Sequence, residues 1–287
     1  MDLIAELKAA GFSDVIVLDG AECGEPDVGS ILLAIWSYEA ERQPEVEEAW
    51  IHPYYFASQT AYVAADRIAK THAADGVCWR EDIRLKPIFA RLNGFTQGRN
   101  TLSYMPGKGS RFHVQILTVT PGLTPTMHFQ NECHELHCGD CHLCEMACPT
   151  NALEGGIFHR ERCIRNWQIS GQKYPEDVRE AMGNRLIGCD ECQRCCPHNA
   201  PPAGEAHPPF PLEEILAYPK EAAKIMRAHI GATITMFNRV LGGACIVAGC
   251  LQRVDLLPYL EELAESPSAA VADHARWAID HIKMKHM

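Results

Sequence analysis

Residues 137–152 read HCGDCHLCEMACPTNA and contain four closely spaced cysteines followed by a proline. The spacing C-x2-C-x2-C-x3-C-P is that of bacterial ferredoxins, in which three thiolates of one loop can wrap one face of a [4Fe-4S] cube. The proline disfavours helical geometry at the preceding residue and redirects the chain. In two-cluster proteins, the cysteine before this proline binds the other cluster. The stretch therefore predicts a matching motif further along the chain.

The matching motif is GCDECQRCCPHN, residues 188–199, which contains C-x2-C-x3-C-P. One cysteine is missing from the short spacing, and Cys163 in ERCIRNW is the candidate replacement. Eight ligands then serve two [4Fe-4S] clusters. We assign Cys138, Cys141, Cys144 and Cys196 to the first cluster, and Cys163, Cys189, Cys192 and Cys148 to the second.

A zinc site is the alternative, but zinc sites use paired C-x2-C knuckles with four ligands, which fit this row of thiols poorly. Two neighbouring cysteines stay outside the assignment. Cys195 is interpreted as a packing or outer-shell thiol, because the x3-C-P spacing selects Cys196. Cys133 is either a spare ligand or an ordinary free cysteine.

The composition restricts the class of protein. The 287 residues include 14 cysteines, and no run approaches the ~18 apolar residues of a membrane-spanning helix. The start, MDLIAELKAAGF, does not resemble a secretory signal, so a reducing cytoplasm is expected and the cysteines indicate metal or redox chemistry. The net charge of −11 argues against an extended basic surface for nucleic acid.

The chain is predicted to contain three domains: an α/β or α+β domain over 1–132, a bacterial-ferredoxin-like double-cluster module over 133–200, and a helical, HEAT-like element over 201–287. The predicted strands are DVIVLDG, ILLAIWSY (31–38) and RFHVQILTVTP (111–121), the last ended by Pro121; the predicted helices include LIAELKAAGF, 56–70 and 178–186. The acidic stretch EAERQPEVEEAW is predicted to be a loop or an exposed helix, and the final helices resemble an antiparallel pair of the repeat-protein kind.

HCGDCHLCEMACPTNAL, ERCI and MGNRLIGCDECQRCCPHN together resemble the iron–sulfur module of epoxyqueuosine reductases. Weaker similarity lies in LKAAGF, IFARLNGFTQGRNTL and HARWAID. The resemblance implies an N-terminal domain that binds cobalamin, two [4Fe-4S] clusters that reduce it, and a helical C-terminal element. It also implies an oxidoreductase that removes an epoxide oxygen in the queuosine synthesis of tRNA.

The resemblance implies further site residues. The G-K-N-T of the family corresponds here to Gly98, Arg99, Asn100 and Thr101, which places Gly98, Asn100 and Thr101 at the cobalamin. The proton donor of the family is an aspartate upstream of this motif. Asp82 is the candidate here, about three residues closer to the motif than the family pattern places it, and Glu81 is the alternative.

The chain is shorter than typical members of the family and lacks a basic surplus. These departures favour a related corrinoid and iron–sulfur protein that acts on a substrate other than tRNA. A corrinoid-reducing electron-transfer protein is a further alternative. A low-potential donor such as ferredoxin or flavodoxin is expected in each case.

Overall fold

The computed structural model describes residues 2–40, 49–129, 138–204, 207 and 210–285. Its helices are α1 (Leu3–Ala9), α2 (Pro53–Thr71), α3 (Leu85–Phe89), α4 (Leu143–Met146), α5 (Ile164–Ser170), α6 (Glu176–Met182), α7 (Glu191–Arg194), α8 (Leu212–Ala217), α9 (Pro219–Ile230), α10 (Phe237–Cys250), α11 (Leu257–Leu263) and α12 (Ala269–Lys285). Its strands are β1 (Asp14–Asp19), β2 (Ser30–Ser37), β3 (Trp50–Ile51), β4 (Val77–Arg80), β5 (Thr96–Gln97), β6 (Ser103–Tyr104), β7 (Phe112–Val119), β8 (Leu153–Glu154), β9 (Ile157–Phe158) and β10 (Arg185–Ile187). None of the helices in these ranges combines the length and apolar character needed to cross a membrane.

The chain divides into two compact units. The first unit comprises Met1–Glu39, Phe56–His142 and Cys196–Pro201, and the second comprises Ala40–Tyr55, Leu143–Cys195 and Pro202–Met287. Each unit is built from separate stretches of the chain, so the predicted boundaries at 132/133 and 200/201 stay predictions.

The first unit is built on a four-stranded sheet with the strand order β1-β2-β7-β4. Every pairing in this sheet is antiparallel, which places the unit in the α+β class, one of the two predicted from the sequence. Helices α1 and α2 and strands β1, β2 and β7 lie close to their predicted positions. Strand β7 ends two residues before Pro121, as predicted.

The apolar run in β2 is continuous because both faces of the sheet are covered. Successive side chains point to opposite faces of a strand. Leu32 and Ala34 pack with Ala65 of α2 on one face. On the other face, Leu33 packs in a separate core with Phe95. The stretch that carries Phe95 and the β5–β6 hairpin is thereby held to the sheet.

In the second unit, the prediction of a helix over residues 178–186 is wrong at its C-terminal end. Helix α6 ends at Met182, and Gly183 follows with a φ of +54°. Such a φ is accessible to glycine and ends the helix. The chain continues as β10, which pairs in parallel with β3. Trp50 of the acidic stretch therefore lies in a strand, while residues 41–48 of that stretch lie outside the described residues.

The C-terminal part of the second unit is helical, as predicted. Its central helix, α10, is buried from Val240 to Gly249. The ion pair of Lys283 with Glu261 and the hydrogen bond of Arg276 to the Ala264 carbonyl join α12 to α11 and its C-terminal end. The position in α12 rises from Arg276 to Lys283 while the position of its partner falls from Ala264 to Glu261. Helices α11 and α12 therefore form an antiparallel pair, as predicted.

Candidate iron–sulfur site

The structure brings together the four cysteines that were predicted to hold the second cluster. Burial raises the pKa of the Cys192 thiol well above its usual value, and the nearby thiolates of Cys189, Cys163, Cys148 and Cys195 raise it further. All of these side chains belong to the second unit. The long insertion between Cys148 and Cys189 therefore folds back and places Cys163 beside the other three.

Backbone N–H groups point at three of these sulfurs. The donors are Ala152 to Cys148 at 3.2 Å, Asn166 and Arg165 to Cys163, and Glu191 to Cys189. Hydrogen bonds of this kind favour the thiolate, which is the form that binds iron, and they tune the potential of a cluster. Burial nevertheless raises the pKa of Cys189 to about 12, so binding a metal would release its proton. The donor set fits an iron–sulfur cluster.

The loop before Cys189 is held by a buried glutamine that the sequence reading missed. Gln168 is 4% exposed and accepts a hydrogen bond from the Gly188 amide at 2.7 Å. Its Nε2 donates to the Arg185 carbonyl at 3.0 Å. These bonds join α5 to the loop that follows β10. A glutamine is not an expected cluster ligand. The only sequence signal for Gln168 is its position in a helix shortly after Cys163.

Residues 52–55, far from the cysteines in sequence, also contact the neighbours of Cys163 and Cys192. The His52 Nδ1 accepts a hydrogen bond from the Tyr54 amide at 2.9 Å, so its Nε2 carries the proton and donates to Gln193 Oε1 at 3.2 Å. Tyr55 hydrogen-bonds Arg165. The pairing of β3 with β10 places this segment. The aromatic run that follows the acidic stretch is the one sequence signal for it.

Among the cysteines assigned to the first cluster, Cys138, Cys141 and Cys196 lie in the first unit, and Cys144 is buried in α4 of the second. The Cys141 amide donates to the Cys138 carbonyl at 2.9 Å and closes a turn. Arg99 donates to the carbonyl of Gly139, inside that turn, at 3.0 Å. The β5–β6 hairpin thus contacts the turn directly.

The same hairpin contacts Cys196. The Tyr104 hydroxyl donates to Cys196 Sγ at 3.2 Å, and burial, together with this bond, raises the pKa of Tyr104. Asn199, three residues beyond Cys196, accepts hydrogen bonds from the Ser110 amide at 2.7 Å and from its hydroxyl at 3.2 Å. These hydrogen bonds hold residues 196–199 within the first unit.

The G-R-N-T residues form the turn of this hairpin. The Gly98 amide donates to the Leu102 carbonyl at 3.0 Å, and Thr101 has a φ of +63°. The Asn100 side chain is 5% exposed and turned inward, with its Nδ2 donating to the Tyr104 hydroxyl at 2.9 Å. Asn100 therefore has an internal partner, in addition to its predicted role at cobalamin.

Asp82 lies at the surface after β4 and is bound to an arginine. Arg80 donates to both carboxylate oxygens of Asp82, with Nε–Oδ1 at 2.7 Å and Nη2–Oδ2 at 2.6 Å. These hydrogen bonds lower the pKa of Asp82 to about 2. The carboxylate is therefore ionised at neutral pH in this geometry. Glu81 is exposed beside it.

Cys195 directly follows α7 and lies near Cys192, whereas Cys133 falls outside the described residues. Within the described part of the chain, no three His, Cys, Asp or Glu side chains converge closely enough for a single metal ion.

The site and its comparison with known families define the class of protein. Residues 137–199 match the family of the 4Fe-4S double cluster binding domain. This match confirms the predicted pair of [4Fe-4S] clusters and identifies the chain as an iron–sulfur protein.

The particular likeness is to epoxyqueuosine reductases. The chain is 38% identical over 104 residues to that of Aliivibrio fischeri, covering 36% of this chain and 27% of the relative. It is 31% identical over 156 residues to that of Bacillus subtilis, covering 50% of this chain and 40% of the relative. The matched part thus spans less than half of each relative. A solved epoxyqueuosine reductase with a modified tRNA-Tyr stem loop superimposes with a TM-score of 0.72 at 19% identity, over 98% of this chain and 89% of that one. These findings confirm the predicted resemblance and the shared fold.

Proposed function

We propose that this protein is an oxidoreductase similar to epoxyqueuosine reductase, which uses cobalamin and two [4Fe-4S] clusters to remove an epoxide oxygen in the queuosine synthesis of tRNA. The observation that carries the proposal is the shared fold over 98% of the chain, combined with the double-cluster domain at residues 137–199. A plain ferredoxin would explain the cysteines but would leave the sheet of the first unit without a role.

The clusters would store and deliver the electrons. Removing an epoxide oxygen as water consumes two electrons and two protons, so the protein needs an electron supply and a source of protons. We assign the ligands as the spacing indicates, with Cys148 crossing to the second cluster. The proximity of Cys148 and Cys163 to Cys192 supports this crossed arrangement.

Cobalamin supplies the low-valent metal chemistry when it is bound, and the protein contributes positioning and exclusion of water. Gly98, Asn100 and Thr101 are the proposed contacts. Since the Asn100 side chain is turned toward Tyr104, the backbone of this turn is the part that would meet the corrin.

Asp82 stays the proposed proton donor, with Glu81 as the alternative. Its pairing with Arg80 sets a condition on this role, because an ionised carboxylate has no proton to give. Asp82 would have to leave Arg80 and enter a drier environment, which raises the pKa of a carboxyl group. A general acid works best with a pKa near the working pH.

The test is anaerobic reconstitution of the full chain with iron, sulfide and cobalamin, followed by iron analysis and absorption spectroscopy. We expect about eight irons per chain, from two four-iron clusters, and a base-off cobalamin spectrum. If the chain binds iron but retains no cobalamin, both cobalamin-dependent enzymes are refuted, the one acting on tRNA and the one acting on another substrate. An electron-transfer protein would then remain.

The net charge of −11 favours one alternative, a substrate other than tRNA. A tRNA stem requires neutralisation of its phosphates, and the affinity then falls steeply with salt. Binding of an epoxyqueuosine-modified stem loop at physiological salt would separate the two. We expect measurable binding that weakens with salt; its absence, with both cofactors loaded, would favour the small-molecule alternative. We further propose a cytoplasmic location and a low-potential ferredoxin or flavodoxin as electron donor.

A further inference from the structure

A directed chain of hydrogen bonds ends on the sulfur of Cys196. The Leu102 amide donates to Asn100 Oδ1 at 3.2 Å, which fixes the orientation of the Asn100 amide. Asn100 Nδ2 can only donate, and it does so to the Tyr104 hydroxyl oxygen at 2.9 Å. The Ser110 side chain also hydrogen-bonds this hydroxyl, and the hydroxyl itself donates to Cys196 Sγ, 3.2 Å away.

The surrounding turn buries these hydrogen-bonded side chains and leaves space for them. Tyr104 is 3% exposed and Asn100 is 5% exposed, so water does not compete for their hydrogen bonds. A Cβ at Gly98 would lie 2.7 Å from Tyr104 Cε2 and 2.8 Å from Asn100 Oδ1, so a larger residue would displace one of them. The glycine of G-R-N-T therefore makes room for the aromatic ring and the amide.

We infer that Tyr104 is a positioning residue that raises the reduction potential of the cluster bound by Cys196. The inference rests on the proposed function, in which Cys196 is a cluster ligand. Reduction adds negative charge to the cluster and its sulfurs. A donor to a ligand thiolate consequently stabilises the reduced state more than the oxidised state. The hydroxyl of Tyr104 is such a donor, and the hydrogen bond from Asn100 keeps this hydroxyl oriented toward Cys196.

The test is a redox titration of the reconstituted full chain, with each cluster followed by electron paramagnetic resonance. Tyr104→Phe removes the hydroxyl and keeps the ring. A net hydrogen bond of this size corresponds to about a fivefold to tenfold change in an equilibrium constant. At a fixed potential, we expect the oxidised-to-reduced ratio of one cluster to rise by about that factor, with tenfold equal to 59 mV for one electron. The other cluster should keep its potential.

Tyr174→Phe is the matched control, because Tyr174 is similarly buried, at 5% exposed, and its aromatic ring packs against Trp167 and His274. It should move neither potential. Incorporation of 3-fluorotyrosine at position 104 provides a test that preserves the packing. Fluorine makes the phenol a stronger donor, so the same cluster should shift in the opposite direction, to a less negative potential.

The outcomes separate this inference from the proposed function. If the unmodified chain binds fewer than about eight irons, the two-cluster proposal fails. If it binds them and neither substitution at Tyr104 moves a potential, Tyr104 has no tuning role and the inference is overturned. Opposite shifts of one cluster in the two variants would support it.

Discussion

At the scale of single residues, cysteine spacing proposes the cluster ligands but does not indicate the residues that support their loops. Cysteine spacing encodes a local geometry, because the thiols of one loop must reach one metal cluster. Gln168 and His52 instead support the loops around Cys189 and Cys192 through contacts that form only after the chain has folded. A glutamine in a helix and a histidine beside tyrosines carry no such spacing rule.

The first prediction concerns Gln168. Gln168→Leu removes the side-chain partner of the buried Gly188 amide and of the partly buried Arg185 carbonyl. An unsatisfied buried polar group costs about 1–3 kcal/mol. We expect the free energy of unfolding, measured with denaturant, to fall by at least that amount. Gln172→Leu, at an exposed position, is the control and should be nearly neutral. Equal effects of the two substitutions would contradict the supporting role of Gln168.

The second prediction concerns Asp82. In Arg80→Gln, the carboxylate loses the two hydrogen bonds that lower its pKa to about 2. The pKa should rise toward the ordinary value of a carboxyl group, near 3.9. NMR titration of the labelled carboxyl carbon measures it. A pKa that stays near 2 in the variant would show that Arg80 is not the cause.

At the scale of elements, the helices of the second unit depend on close approach. Gly249 of α10 lies against α12, and a Cβ there would be 2.9 Å from the Cα of Ala278. Gly243 of the same helix has its nearest neighbours at 3.5 Å, an ordinary contact distance. Hydrophobic patterning predicted these helices, but it could not predict which glycine sits at the crossing.

The third prediction compares these two glycines. Gly249→Ala forces the backbone of α12 to move, and overpacking of this kind costs about 1–3 kcal/mol. Gly243→Ala has room and gains up to about 1 kcal/mol of helix propensity. Thermal unfolding of the two variants should therefore shift in opposite directions. If both are destabilised equally, the crossing at Gly249 is not the tight point.

The fourth prediction concerns the pH dependence of this packing. His274 of α12 is 2% exposed, and burial, followed by the charge of Arg179, lowers its pKa to about 4. Its Nε2 donates to the Gln172 carbonyl, and Nδ1 has no partner among the described residues. The unfolded chain, with a histidine pKa near 6.5, takes up a proton at a higher pH than the folded chain does. Stability should therefore fall as the pH drops from about 6.5 to 4, by up to about 3 kcal/mol.

His274→Gln tests this dependence, since glutamine does not titrate and can still donate to the Gln172 carbonyl. The quantity to measure is the difference in the free energy of unfolding between the two proteins across that pH range. The comparison isolates His274 from His113, whose pKa burial also lowers to about 4. A difference that does not change with pH would contradict the account.

At the scale of the whole molecule, the sequence predicted the order of the parts along the chain more accurately than it predicted which stretches fold together. The positions of β1, β2 and β7 follow from their apolar and β-branched runs, which are local signals, whereas their antiparallel pairing is seen only in the fold. The discontinuous make-up of the two units is not local: residues 40–55 belong to the second unit and residues 196–201 to the first. The strand pairing of β3 with β10 joins chain positions more than 130 residues apart, and no periodicity reports such a pairing.

In the proposed ligand assignment, Cys148 leaves the loop of its own motif and binds the second cluster. The direct measurement is electron paramagnetic resonance of the reduced, reconstituted chain for four single variants, Cys138→Ser, Cys196→Ser, Cys148→Ser and Cys163→Ser. We predict that Cys148→Ser and Cys163→Ser alter one cluster signal, while Cys138→Ser and Cys196→Ser alter the other. If Cys148→Ser alters the same signal as Cys138→Ser and leaves that of Cys163→Ser unchanged, the crossed arrangement is contradicted.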